Sequence, residues 1–143
     1  MASTGATTRD SATPEGPRAD VELRLPADRL YASVLRTTTA GLAARLDFPI
    51  DDIEDLRIAV SEASAMVLAA ARPGTDLDCR FYQAPGELTV AVSVEVERAP
   101  EPDYDSFAWQ VLATLAGSAT AEVTSTSFTV TLVMRSSAQE AGR

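Results

Sequence analysis

The sequence predicts an α+β fold, a two-layer sandwich in which three helices cover one face of a mainly antiparallel sheet. Short segments in which apolar and polar residues alternate, a pattern typical of half-buried strands, occur near both ends of the chain and in its middle. Longer segments between them repeat apolar residues every three or four positions, as amphipathic helices do. The resulting order is β-α-α-β-β-α-β-β, and 143 residues give room for one domain with a core.

The first predicted strand spans residues 21–26, where apolar and charged residues alternate until Pro26 ends the pattern. A hairpin of residues 77–83 and 88–96 follows, with its turn at "APGE", and residues 119–124 and 127–135 form a second hairpin. The hairpin residues expected to face the core are Leu88, Val90, Val92, Val94, Val96, Phe128, Val130, Leu132 and Met134.

Three helices are predicted over residues 27–46, 50–72 and 106–117. The expected core residues of the first helix are Leu30, Val34, Leu35, Thr38, Leu42 and Leu46. Those of the second are Ile53, Leu56, Val60, Ala63, Val67 and Ala70. Those of the third are Phe107, Val111 and Leu115. The neighbouring face of the second helix carries Glu62 and, one turn later, Met66.

The predicted domain covers residues 21–135, between flexible tails at residues 1–20 and 136–143. The first twenty residues have neither the basic start nor the apolar run of a signal peptide, and no apolar run is long enough to span a membrane. Cys79 is the only cysteine, which fits a reducing compartment. We therefore expect a cytoplasmic protein without a membrane partner.

The composition excludes several kinds of chemistry. All 12 basic residues are arginine, and the chain has no histidine, lysine or asparagine. A Ser-His-Asp triad, a histidine-ligated zinc site and a P-loop lysine are therefore impossible. The net charge of −9 disfavours nucleic acid as a direct partner, because phosphate binding needs a basic face, and it suits a basic protein surface instead.

This succession of elements, together with "DIEDLRIAVSEA" at residues 52–63, resembles the bacterial anti-sigma factor and serine-protein kinase family. That family belongs to the histidine-kinase-like, or Bergerat-fold, ATPase superfamily. The resemblance spans roughly residues 21–135, and "DSFAWQVLATLAG" at residues 105–117 is similar to an actinobacterial branch of it.

The resemblance implies an ATP site, from which this sequence departs. Family members carry Glu-x-x-x-Asn on a helix, the Glu as general base and the Asn as magnesium ligand; here Glu62 matches the Glu, but Met66 replaces the Asn. A thioether is a poor ligand for magnesium. The segment expected to contain Asp-x-Gly-x-Gly, residues 94–105, has no glycine, and the glycines of a phosphate-cradling turn are replaced by Ser106 and Ala108. We therefore expect Glu62 to be vestigial, and neither ATP nor a metal to be bound.

The resemblance implies an anti-sigma factor that sequesters an alternative sigma factor of RNA polymerase, is released by an anti-anti-sigma protein, and forms a homodimer. Family members carry a partner-binding arginine on the first helix, which places the expected binding residues at Leu35, Arg36 and Thr39. Two alternatives remain open: an active serine kinase of the anti-anti-sigma protein, or a small-ligand sensor whose pocket is lined by Glu62, Met66 and Trp109. Tyr104 and Trp109 are further candidate partner contacts.

Overall fold

The computed structural model describes residues 18–138 and confirms the α+β fold. Its elements are β1 (Val21–Pro26), a 3₁₀ turn (Arg29–Tyr31), α1 (Ala32–Arg45), α2 (Ile50–Ala70), β2 (Asp76–Ala84), β3 (Glu87–Glu95), α3 (Phe107–Leu115), β4 (Ser118–Val123) and β5 (Ser127–Arg135). This order agrees with the predicted order, element by element. None of the helices within residues 18–138 is both long and apolar enough to cross a membrane.

The five strands form one antiparallel sheet in the order β1-β2-β3-β5-β4. The two hairpins are β2–β3 and β4–β5, and they join where β3 pairs with β5, with Val92 opposite Val130. Gly86 has a φ of 70° in the turn between β2 and β3, a left-handed conformation that glycine adopts without steric cost. The sheet therefore depends on two long-range pairings, one that joins the two hairpins and one that adds β1 to β2.

One face of the sheet is the core of the molecule. All nine hairpin residues predicted to face inward are buried, and Leu77, Cys79 and Phe81 of β2 lie beside them. The opposite face is polar and partly exposed, and on it the hydroxyls of Ser93 and Thr129 are 2.7 Å apart and hydrogen-bonded. Side chains alternate between the two faces of a strand, so the period-two pattern specifies this division directly.

Helix α2 lies on the inner face of the sheet. Asp51 and Asp52 occupy its first turn, where carboxylates stabilise the positive end of the helix dipole, and the helix ends before Pro73. Its buried residues are Leu56, Ala59, Val60, Ala63, Ser64 and Val67. This confirms the predicted face at its centre, while Ile53 and Ala70 at its ends are only partly buried.

Helix α1 differs from the prediction in which residues it buries. Its fully buried residues are Leu35, Thr39 and Ala43, whereas Leu30 is 82% and Val34 41% exposed. The reason is that Asp28 accepts a hydrogen bond from the amide of Leu30, which starts a 3₁₀ turn, and α1 begins only at Ala32. The hydroxyl of Thr39 donates to the carbonyl of Leu35 at 2.7 Å, so a polar side chain can be buried there.

Helix α3 also buries a different face from the predicted one. Only Leu112 is fully buried, whereas Phe107 is 81% exposed and Val111 and Leu115 are half-buried. The helix contacts the rest of the domain through Trp109, Leu112, Leu115 and the following Ala116. A row of apolar residues predicted correctly that a helix forms, but not which of its two apolar faces is covered.

Short parts of the predicted tails contact the domain. Asp20 bonds β2 twice, through its amide to the carbonyl of Phe81 and through its carboxylate to the amide of Gln83. At the other end Ser136 is buried, and Asp52 of α2 accepts hydrogen bonds from the amide and hydroxyl of Ser137 at 2.7 and 2.9 Å. The remaining predicted tail residues, 1–17 and 139–143, lie outside the described part of the chain.

Candidate functional site

A cavity of about 290 Å³ lies where the end of α2, the loop of residues 96–106 and the start of α3 meet. Its lining residues are Met66, Ala69, Ala70, Pro100, Glu101, Pro102, Asp103, Ser106, Trp109 and Phe128. The two residues predicted to line it together, Met66 and Trp109, do so. Glu62 does not, because it lies one turn earlier on α2, so the predicted trio is corrected to a pair.

The cavity wall is mainly apolar, and the charges among its lining residues are negative. Met66, Trp109 and Phe128 supply large apolar surfaces, while Glu101 and Asp103 bring carboxylates and no lining residue is an arginine. Pro100 and Pro102 have no backbone N–H with which to donate a hydrogen bond. A triphosphate needs cations or amide donors around it, so this lining does not fit a nucleotide triphosphate.

The start of α3 does not fit a nucleotide triphosphate either. The hydroxyl of Ser106 accepts a hydrogen bond from the amide of Trp109 at 3.1 Å, which caps the helix. The amide of Asp105 donates to the carboxylate of Asp103 at 3.0 Å, and the amide of Ser106 donates to the carbonyl of Asp103 at 3.1 Å. Three amides that a phosphate-cradling turn would present to its ligand are thus bonded within the chain.

The donor set at Met66 does not fit magnesium either. Met66 is half-buried against the core and contributes sulfur where the family pattern has an amide oxygen. Within residues 18–138, no three His, Cys, Asp or Glu side chains lie close enough together to hold a metal ion. We derive no step of a reaction through ATP or magnesium at this site.

Two aromatic residues shape the outer edge of the cavity. The rings of Tyr104 and Trp109 are 4.9 Å apart at 85° to each other, an edge-to-face pair. Trp109 faces the cavity, while Tyr104 is 52% exposed on the loop. The side-chain amide of Gln110 donates to the carbonyl of Asp105 at 3.3 Å, which further fixes this loop to α3.

The second candidate region is the surface of α1 around Arg36. Arg36 is half-buried at the edge of α1, and its guanidinium donates to the hydroxyl of Ser61 on α2 at 3.4 Å. The ion pairs of residues 18–138 involve Arg24, Arg72 and Arg135 but not Arg36. Its guanidinium therefore has no carboxylate partner in the described part of the chain.

The expected neighbours of Arg36 on this surface are corrected by the structure. Leu35 and Thr39 have no exposed surface, because they pack toward α2, so their side chains are not available to a partner of the folded domain. The exposed large apolar residues at the start of α1 are Leu30, Tyr31 and Val34, and the periodicity had assigned Leu30 and Val34 to the core. The available signal was Asp28, a typical cap residue whose position separates Leu30 from the helix that follows.

Comparisons with known proteins show relatives over part of the chain. No protein-family model matches it. It is 33% identical over 78 residues to the serine-protein kinase RsbW of Bacillus cereus strain B4264, covering 54% of this chain and 43% of the relative. The RsbW of Bacillus mycoides strain KBAB4 is 32% identical over the same length, with the same coverage of both proteins.

A shorter match has a higher identity. The RsbW of Bacillus thuringiensis strain Al Hakam is 44% identical over 48 residues, which are 34% of this chain and 30% of that protein. The chain thus spans less than half the length of the curated relatives that it matches. Over the matched part of its length, the chain is similar to the RsbW serine-protein kinases.

Proposed function

We propose that this protein is an anti-sigma factor that sequesters an alternative sigma factor of RNA polymerase and is released by an anti-anti-sigma protein. The similarity to RsbW proteins supports the regulatory class. The acidic chain, with its net charge of −9, suits a basic protein partner rather than nucleic acid. A cytoplasmic location and a homodimer belong to the same proposal.

The proposal includes the absence of phosphoryl transfer. This part of the proposal rests on the cavity beside Met66. Glu101 and Asp103 would face the phosphates of an ATP bound there, and no arginine lines the wall. Enzymatic phosphoryl transfer depends on cations and amides placed around the transferred group. Glu62, the residue matching the family's general base, does not line this cavity and has no catalytic role in our proposal.

We propose Arg36 as the partner-binding residue of α1. The hydrogen bond to Ser61 holds the Arg36 side chain between two helices, which lowers the entropy lost when a partner carboxylate binds.

Two measurements on the full chain test the proposal. Calorimetric titration with MgATP is expected to show no binding, and incubation with labelled ATP and the anti-anti-sigma protein is expected to transfer no phosphate. Micromolar binding with transfer that Glu62→Gln abolishes would establish the alternative, an active serine kinase.

Binding of purified alternative sigma factors by size-exclusion chromatography tests the partner. One of them is expected to co-elute with the chain, and Arg36→Ala is expected to weaken that complex at least ten-fold. Arg45→Ala, an exposed arginine in the last turn of the same helix, is the matched control and should leave the affinity unchanged. Failure of every sigma factor to bind contradicts the proposal.

The cavity supports a second candidate function, a sensor of a small apolar molecule. Its volume of about 290 Å³ and its Met66, Trp109 and Phe128 walls suit a compact ligand that is apolar or aromatic. A panel of such compounds should then include one that raises the melting temperature of the wild-type chain but not of Met66→Glu, which places a charge in the cavity. A panel without any such compound argues against the sensor.

A further inference from the structure

The exposed side of α3 forms an apolar groove that residues 18–138 leave uncovered. Phe107, Gln110, Val111, Thr114 and Leu115 line it, and it encloses about 260 Å³; we call these five residues the α3 surface. Phe107, Val111 and Leu115 are four residues apart and follow one line along the helix for about 12 Å. Phe107 alone is 81% exposed, which is a high fraction for a large aromatic side chain of a helix.

The α3 surface is held in a fixed position by the rest of the domain. Leu112, on a neighbouring side of the helix, is fully buried, and Ser106 caps the first turn. Gln110 bonds back to the carbonyl of Asp105. An apolar patch on a preorganised helix requires no folding step before it binds, so little conformational entropy is lost on association.

Charge indicates what kind of molecule covers this surface. Helix α3 itself has no charged residue, but the loop just before it, residues 97–105, carries four carboxylates and one arginine. The whole chain has a net charge of −9. Two copies of the chain meeting through α3 would bring two acidic loops together, whereas a basic partner would gain from the same loop.

We propose that the α3 surface docks a basic amphipathic helix of a partner protein. The apolar stripe of that helix would pack against Phe107, Val111 and Leu115, as one helix packs its ridges into the grooves of another. Its arginine or lysine side chains would lie beside the acidic loop of residues 97–105. This surface is on a different helix from Arg36, so the two sites are separable by mutation.

Calorimetric titration of the full chain with three synthetic 15-residue peptides tests the proposal. The first carries leucines at every fourth position flanked by arginines, the second replaces the arginines with glutamates, and the third scrambles the first. The first peptide is expected to bind at least ten-fold more tightly than either of the others, and more weakly as salt is raised. Equal binding of the first and second peptides, or of the first and the scrambled peptide, overturns the proposal.

Variants then locate the binding site. Phe107→Ser is expected to weaken binding of the first peptide at least ten-fold while its circular dichroism stays that of the folded domain. Ile50→Ser, which removes another exposed apolar side chain at the start of α2, should leave the affinity unchanged. An affinity that Phe107→Ser does not change overturns the proposal. So does a shift from dimer to monomer on this substitution in sedimentation, because the occupant is then a second copy of the chain.

Discussion

Two apolar surfaces of this molecule have opposite environments. The inner face of the sheet is covered by helices, and Val90 and Val92 at its centre are each 1% exposed. The α3 surface is almost as apolar, but Phe107 is 81% exposed. The difference teaches that a row of apolar residues identifies a helix or strand face that another element can cover. The packing of the whole domain decides whether that face is buried or exposed. The inner face stabilises the fold, and the α3 surface remains available for binding.

The largest expected difference between the two surfaces is in stability. Leu112→Ala should lower the free energy of unfolding by about 2–5 kcal/mol, because a fully buried leucine leaves a cavity in the core. Phe107→Ala removes a larger side chain but should change stability by less than about 0.5 kcal/mol, since that side chain is already in water. Urea denaturation followed by circular dichroism measures both.

A larger loss of unfolding free energy for Phe107→Ala than for Leu112→Ala would show that Phe107 is buried in solution, either by a second chain or by a rearranged α3. In that case the stability of the Phe107 variant would also depend on protein concentration, which distinguishes association from rearrangement.

The inner face should also protect its one thiol. Burial among apolar neighbours raises the pKa of Cys79 from 9.0 to about 12. At pH 8 its thiolate population in the folded protein is therefore expected to be about 1,000-fold lower than in the unfolded chain. Its reaction with a chromogenic disulfide reagent should be slower by at least that factor.

The same pKa gives stability a pH dependence. Because the unfolded thiol ionises near pH 9.0 and the folded one near pH 12, the buried thiol causes no loss of stability below pH 9 and an increasing loss from pH 9 to 12. Cys79→Ala should show a shallower decline in this window than the wild type. Identical slopes for the two proteins would mean that the thiol reaches solvent in the folded state.

A smaller effect is expected at the first turn of α3. Ser106 is its cap, whereas α2 begins after Pro49 with no capping side chain. Ser106→Ala should therefore cost about 1 kcal/mol of unfolding free energy, and Ser106→Thr, which retains the hydroxyl, less than about half of that. Hydrogen exchange at the amide of Trp109 should report the loss locally. An unchanged exchange rate would mean that Leu112 alone holds the helix in place.

The sequence predicted the sheet more accurately than the helices for a physical reason. Strand side chains alternate strictly between two faces, so Leu88, Val90 and Val92 had to share one face, and it is buried. The side chains of a helix point in all directions around its axis. An assignment of the buried face that is wrong by one position still selects a row of apolar residues. That is why Leu30 and Val34 of α1 were placed in the core and are exposed.

The candidate site was predictable only in part. Met66 and Trp109 line the cavity as expected. The Glu-x-x-x-Asn pattern of the family predicted the position of Met66, and the similarity of residues 105–117 predicted that of Trp109. The distance of Glu62 from that cavity, and the exposure of Phe107, depend on how α2 and α3 cross, which no local pattern specifies. The hydrogen bond between Arg36 and Ser61 joins positions 25 residues apart and was likewise not visible in the sequence.

The edge-to-face pair of Tyr104 and Trp109 has a practical consequence. Trp109 is the only tryptophan in the chain, so the intrinsic emission of the protein at long wavelength comes from a single known place. That place lies between the cavity and the α3 surface, with a tyrosine ring 4.9 Å away as an energy donor. A shift in the wavelength of maximum fluorescence on adding a ligand or partner would therefore report binding near Trp109, without any label attached to the protein.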